Sequence, residues 1–140
     1  MANNGFSQYL MDALLNEVFR GTGYTSPVAL YVSLHSANPG VDGSNEISGN
    51  AYARVASTFS AVEANGAAGR KVANAASVLF AKATPAGWGE ITHFGVWDAL
   101  TVGNCLASGK LTTAVTVAAN EKPEFEAGAF YIGLEQKAEA

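Results

Sequence analysis

Ser33, His35, His93 and Asp98 bring together a hydroxyl, two imidazoles and a carboxylate, the types that nucleophilic hydrolysis needs. Their setting argues against that chemistry. No Gly-x-Ser-x-Gly turn lifts a serine clear of a sheet. Ser33 and His35 are two residues apart, so they share one strand face, and that face reads as the outer, solvated one. The two histidines are also the first candidates for a metal. They are far apart, with no close His pair, and Cys105 alone cannot complete a tetrahedral set. Cross-strand packing or hydrogen bonding accounts for them better. Asp42, Asn45 and Glu46 offer oxygen ligands of the kind calcium takes, but without the spacing of a helix–loop–helix calcium site. Turn chemistry explains Asp42 and Asn45. Glu46 is suited to a bidentate pair with Arg54. Gly87-Trp-Gly89 and the pair Gly103 and Gly109 are not phosphate loops. The sequence therefore predicts no catalytic residue, no cofactor and no metal, and no enzyme.

The elements that must position these residues are mostly strands. Residues 6–20 form the exception, with Phe6, Leu10, Ala13, Leu14 and Val18 at helical spacing. Asn4 or Ser7 is placed to cap that helix and Gly21 to end it. The helix covers an edge or end of the fold, or docks on a neighbouring subunit. Residues 28–35 alternate, with Val28, Leu30, Val32 and Leu34 inward. A long loop, 36–49, follows with Asn-Pro-Gly and Asp-Gly corners. Further strands are read at 51–59, 70–74, 78–83, 90–99, 105–110, 111–118 and 130–136, with a turn region at 61–68 and a short strand possible at 124–127. In 90–99, Thr92, Phe94 and Val96 oppose Ile91, His93, Gly95 and Trp97. Short strands at this spacing, without helical crossovers, predict a mainly β fold: an antiparallel β-sandwich, Ig-like or jelly-roll-like, with one N-terminal α-helix. The organisation expected is a single domain over 1–140, with an N-terminal arm and helix at 1–21, the sandwich at 28–134 and a polar tail at 135–140. Tyr52, Phe59, Phe80, Phe94, Trp97, Phe125 and Phe130 read as core. Trp88, in a glycine-rich turn, reads as an exposed contact residue.

Composition sharpens the class. Of 140 residues, 49% are apolar and only 14% are charged, against about 25% charged in typical soluble domains. Such a surface is easily desolvated and suits packing against other proteins. A formal net charge of -4 without a basic run excludes electrostatic binding to nucleic acid or to an anionic membrane. No stretch is apolar and long enough to span a bilayer. The first residues lack a signal-peptide pattern, so use without export is expected.

Four segments then point to a family. Tyr31-Val-Ser-Leu-His-Ser-Ala-Asn-Pro-Gly40, Gly43-Ser-Asn-Glu46, Tyr52-Ala-Arg54 and Ile91-Thr-His-Phe-Gly-Val-Trp-Asp98 together resemble a family of short tailed-phage virion proteins often labelled phage tail fibre proteins. Order and spacing match from about Leu30 to Leu134, and the N-terminal helix fits. Ser36 and Asn38 stand where the pattern prefers Thr and Asp, changes that keep turn-forming polarity. The resemblance transfers no catalytic site.

It implies a virion accessory protein. No heptads or repeats are present to build a shaft, and a compact domain of this length has a radius of gyration of about 14–15 Å. A capsid decoration or cement protein, homo-oligomeric and trimeric, is therefore the first expectation, with other virion proteins as partners. The alternative is a tail-fibre, collar or tail-tip component that contacts the host receptor. An enzyme or carbohydrate-binding module is the third. Candidate contact residues are Phe6, Leu10 and Leu14 on the helix, Tyr24, the loop residues Asn38, Pro39, Asp42, Asn45 and Glu46, and Trp88.

Overall fold

The computed structural model describes residues 4–136. The first three residues of the expected N-terminal arm, and residues 137–140 of the expected tail, lie outside them. In chain order the elements are β1 (Asn4–Phe6), α1 (Gln8–Arg20), β2 (Leu30–His35), β3 (Val55–Ser57), β4 (Glu63–Asn65), β5 (Gly69–Ala73), β6 (Val78–Leu79), β7 (Gly89–Trp97), β8 (Cys105–Val117), β9 (Glu124–Phe125) and β10 (Tyr131–Glu135). Every pairing is antiparallel. A five-stranded sheet runs β1-β8-β7-β2-β3, a three-stranded sheet β10-β5-β4, and β6 pairs with β9. The fold is mainly β with one helix, as the sequence predicts.

The core lies between these layers. Val32 and Leu34 of β2, Ile91, Phe94 and Val96 of β7, and Ala107, Leu111 and Val117 of β8 meet Val78, Phe80, Phe125, Phe130 and Ile132. An aromatic chain crosses the gap: Phe94 to Phe130 at 5.0 Å between ring centroids, Phe130 to Phe125 at 4.8 Å, and Phe125 to Phe80 at 5.8 Å. Tilted and edge-on pairs of this kind contribute about 0.5–1.5 kcal/mol each beyond their buried area.

Several boundaries differ from the sequence reading, each for a local reason. Ile91 faces the core with Phe94 and Val96, not away from them. The β7–β8 register shifts between Ile91 and His93, and that irregularity resets the alternation. Cys105–Val117 form one long strand where two were read at 105–110 and 111–118, because Ala107, Leu111, Val115 and Val117 keep a single inward phase. The expected turn at 61–68 contains β4, which forms a hairpin with β5 around Gly66. β2 starts at Leu30. Val28 is fully exposed and lies outside the pairing with β3, which begins at Leu30 opposite Ser57.

The expected strand 51–59 shrinks to β3 because residues 49–52 make a tight turn. Asn50 and Ala51 take φ of 52° and 66°, and the Tyr52 N–H donates to the Gly49 carbonyl at 3.0 Å. Two successive left-handed residues favour Asn-Gly, and here alanine stands in the glycine position. Ala51→Gly is expected to raise stability by about 1 kcal/mol, read as a higher thermal midpoint, since Ala51 is exposed and loses no packing.

Helix α1 begins at Ser7, whose hydroxyl accepts the Leu10 N–H at 3.2 Å, and ends at Gly21 in the left-handed conformation. Phe6 is not part of it. That residue lies in β1, in register with Ala107, and packs against the core. The Ser7 N–H is bound by the Leu106 carbonyl at 2.8 Å, so the chain leaves the sheet edge and turns directly into the helix.

Candidate functional site

β2 and β7 are neighbours, and their register places Tyr31 opposite Trp97, Ser33 opposite Gly95 and His35 opposite His93. The face carrying Ser33 and His35 points away from the aromatic core. It is nonetheless sealed: both residues are 0% exposed. The expectation of a solvated outer face is corrected by the loop 36–49, which folds back over it. Gly43 in that loop lies so close to Trp97 that a Cβ would stand 2.5 Å from ring atom Cζ2.

Beneath the loop runs a continuous hydrogen-bonded chain. The Trp97 indole N–H donates to Ser33 Oγ at 2.7 Å. Ser33 Oγ meets His35 Nε2 at 2.7 Å, and His35 Nδ1 meets the Ser44 carbonyl at 2.8 Å. A carbonyl only accepts, so Nδ1 carries the proton, and Nε2 accepts from the serine hydroxyl. Burial pushes the His35 pKa below its ordinary value, which keeps the ring neutral. Ser33 and His35 thus stand at the distance of a nucleophile and its base, but with no surface for a substrate. No carboxylate orients the ring, because Asp98 turns elsewhere and accepts from the backbone and side-chain N–H groups of Asn104 at 2.7 and 2.9 Å. His93 bonds Thr92 through Nδ1 at 2.8 Å, and its pKa is lowered by burial and by Lys110. Among the described residues no group of three or more His, Cys, Asp or Glu side chains could hold a metal. Cys105 is buried, and that burial pushes its thiol up to about 11.

Arg54 closes the other side. Its Nε and Nη2 grip Glu46 Oε2 and Oε1, each at 2.9 Å. Nη1 donates to the carbonyls of Ala99 and Val102 at 2.9 and 2.8 Å. The guanidinium lies 3.6 Å from the Trp97 ring centroid, a cation–π contact. Glu46 also accepts the Tyr52 hydroxyl at 2.9 Å, and that hydroxyl receives the Leu34 N–H at 2.9 Å. One buried cation thereby ties the loop 36–49, the 52–54 segment and the 98–104 turn to a single strand pair. The turn it holds is strained and apolar. Val102, a β-branched residue, sits at φ 56° while 84% exposed, and Leu100 beside it is 49% exposed.

Ser33, His35, Gly43, Glu46, Tyr52, Arg54, Gly95, Trp97 and Asp98 all belong to the four sequence segments that mark the chain, and here they form one scaffold. The family model described as podophage GP4 fiber I protein gp80 matches residues 5–133. The chain belongs to that family. It is a phage virion structural protein of fibre type. No curated protein matches it. In this fibre family member the marker residues set the shape of a loop-covered sheet face.

The contact candidates divide accordingly. Asn38, Asp42 and Asn45 are exposed on the loop, though each also shapes it. Asn38 Oδ1 accepts the Gly40 N–H at 2.9 Å, and Asn45 Nδ2 donates to the Asn38 carbonyl at 2.9 Å. The Ser44 hydroxyl donates to Asp42 at 2.7 Å and lowers that carboxyl's pKa. Glu46 is committed to Arg54. Pro39 is fully buried, so it is a loop anchor and not a contact. Trp88 is also corrected. It is 8% exposed, with its indole N–H on the Asn50 carbonyl at 3.0 Å and its ring edge-on to Tyr52 and Phe80. The glycine-rich turn folds inward because Gly87 lets the chain approach Val117 and Ala118 closely. Tyr24 is half-buried, and its N–H is held by the Glu17 carboxylate. Leu10 and Leu14 are half-buried where α1 lies along β8 and β1.

Sequence reasoning did not separate out the apolar side of α1 that stays uncovered among the described residues. Leu15, Val18 and Phe19 are 58%, 67% and 77% exposed, with Met11 in the same stripe, and no residue of the helix is buried. Val18, which helical spacing places with Leu10 and Leu14, is exposed. The signal was present in the wheel: apolar residues span far more than the one stripe a sheet-packed helix needs.

Proposed function

We propose that this chain is a globular component of a phage fibre, carried on the virion by the uncovered side of α1. The single observation behind this reading is the stripe Met11, Leu15, Val18 and Phe19, an exposed apolar surface on a capped, ordered helix. The fibre family match favours this placement over the capsid-decoration role first expected. Other virion proteins are the partners, and the expected homotrimer is the working arrangement, with α1 facing the assembly.

Leu15→Glu with Phe19→Glu tests this. Both side chains are exposed, so the melting temperature should hardly move. Docking should weaken by roughly thirtyfold or more, the effect of losing a central apolar anchor. Particles assembled with the variant and quantified by mass spectrometry should lack it. Full incorporation of a folded double variant would exclude α1 as the attachment surface. The same measurement on wild-type particles separates a fibre stoichiometry from one copy at every capsomer.

A further inference from the structure

His35 is a titratable group to which the proposed docking role gives no task. It is fully buried, in register with His93 and joined to Glu46 by a backbone β-bridge, and its two ring nitrogens link Ser33 to the Ser44 carbonyl of the loop. We propose that His35 is an acid-sensitive latch on the loop 36–49, closing it while neutral and releasing it when protonated.

A second ring proton would sit on Nε2 and point at Ser33 Oγ, 2.7 Å away. Ser33 would have to change from donor to acceptor while still receiving the Trp97 indole N–H at 2.7 Å. Its own hydrogen would lose the partner it now has. The charges around the ring do not rescue the cation. Glu46 attracts it, but both carboxylate oxygens are already taken by Arg54, and one also by Tyr52. His93 on the neighbouring strand β7 and Arg54, just before β3, repel it. Asp42, on the loop itself, directs its carboxylate to the Ser44 hydroxyl and N–H.

Opening the loop hydrates the ring and restores its ordinary affinity for a proton, near 6.5. The open state therefore binds the proton that the closed state resists. Closure is at full strength above that value and weakens as pH falls through it, by up to about tenfold per pH unit, until the closed-state pKa is reached. The release is local. The network lies on the outer face of the five-stranded sheet, whereas the aromatic core lies on the inner face and meets the loop through Ile47 at its end, so the loop can open while the aromatic rings stay packed.

Amide hydrogen exchange on the full chain, followed by NMR from about pH 7 to about pH 4.5 and corrected for intrinsic rates, reads the latch directly. The Ser36 and Ile47 amides, bound to the Asn45 and Leu34 carbonyls, report loop closure. Their protection should fall roughly tenfold or more while β7 amides keep theirs. The midpoint should coincide with the titration of the His35 ring in the same sample. In His35→Gln, neutral at every pH, loop protection should become independent of pH. Loss of loop and β7 protection together would overturn the proposal. So would a loop transition displaced from the His35 titration, a comparison that needs no variant to fold.

Discussion

Arg54→Ala should cost about 3–5 kcal/mol of stability, a large share of the 5–15 kcal/mol that holds an ordinary domain folded. The Arg54 side chain is 7% exposed and the Glu46 side chain 21%. Removing the guanidinium leaves the carboxylate without its cation and the Ala99 and Val102 carbonyls without their donors. It also takes a flat cation from the face of Trp97. Arg54→Lys should recover little. An ammonium presents a point charge and cannot serve the carboxylate through two parallel bonds while reaching two carbonyls on the other side. Much of the loss comes from the partner left behind, so Arg54→Met combined with Glu46→Gln should cost clearly less than the sum of the two single changes. Urea denaturation of the four proteins decides it. Strict additivity would mean that Glu46 and Arg54 do not act as a unit.

The same residues show how far the sequence could be read. Alternation of Val32 and Leu34 and of Phe94 and Val96 was enough to place β2 and β7, because a period of two leaves little choice of face. Gly21 is legible as the helix end for an equally local reason, and Ser7 as one of two possible caps, the other, Asn4, lying in β1. The Glu46–Arg54 contact was legible as a pairing of types, but the two carbonyls that complete the arginine's partners were not. Ala99 and Val102 carry no side-chain signal for a role played by their backbones. Alternation puts Ile91 on the wrong face because a count of residues cannot register an irregularity in the pairing with the partner strand. Ser33 and His35 looked solvated because a strand's second face is polar only when nothing covers it. Whether a loop of 36–49 returns over its own strand is a tertiary event. One hint was available: Gly95 interrupts a β-branched and aromatic run, and a glycine inside a strand often marks close approach of another group. There a Cβ would lie 2.6 Å from Ser33 Oγ and 2.9 Å from His35 Nε2.

The loop supplies the sharpest test of that covering role, because it carries glycines of similar conformation and different surroundings. Gly40, Gly43 and Gly49 all have left-handed φ, at 67°, 88° and 78°. Alanine at any of them incurs the conformational cost of about 1–2 kcal/mol. At Gly40 and Gly49 that is the whole cost, since a Cβ would meet nothing within 4 Å. At Gly43 the same methyl group would stand 2.5 and 2.7 Å from the Trp97 ring and 2.9 Å from the Cys105 Cβ. The ring cannot retreat. Its indole N–H is fixed on Ser33 at 2.7 Å, and its face is held by Arg54. Overpacking therefore adds about 1–3 kcal/mol, bringing Gly43→Ala to roughly 2–5 kcal/mol. Thermal denaturation of the three variants should place Gly43→Ala well below the other two. The loss should also lower exchange protection at Ser36 and Ile47 before it reaches β7, because the methyl group lifts the loop away from the sheet. Three equal shifts would show that the loop lies on the sheet without being packed to it. The four marker segments would then need an explanation other than the scaffold they build.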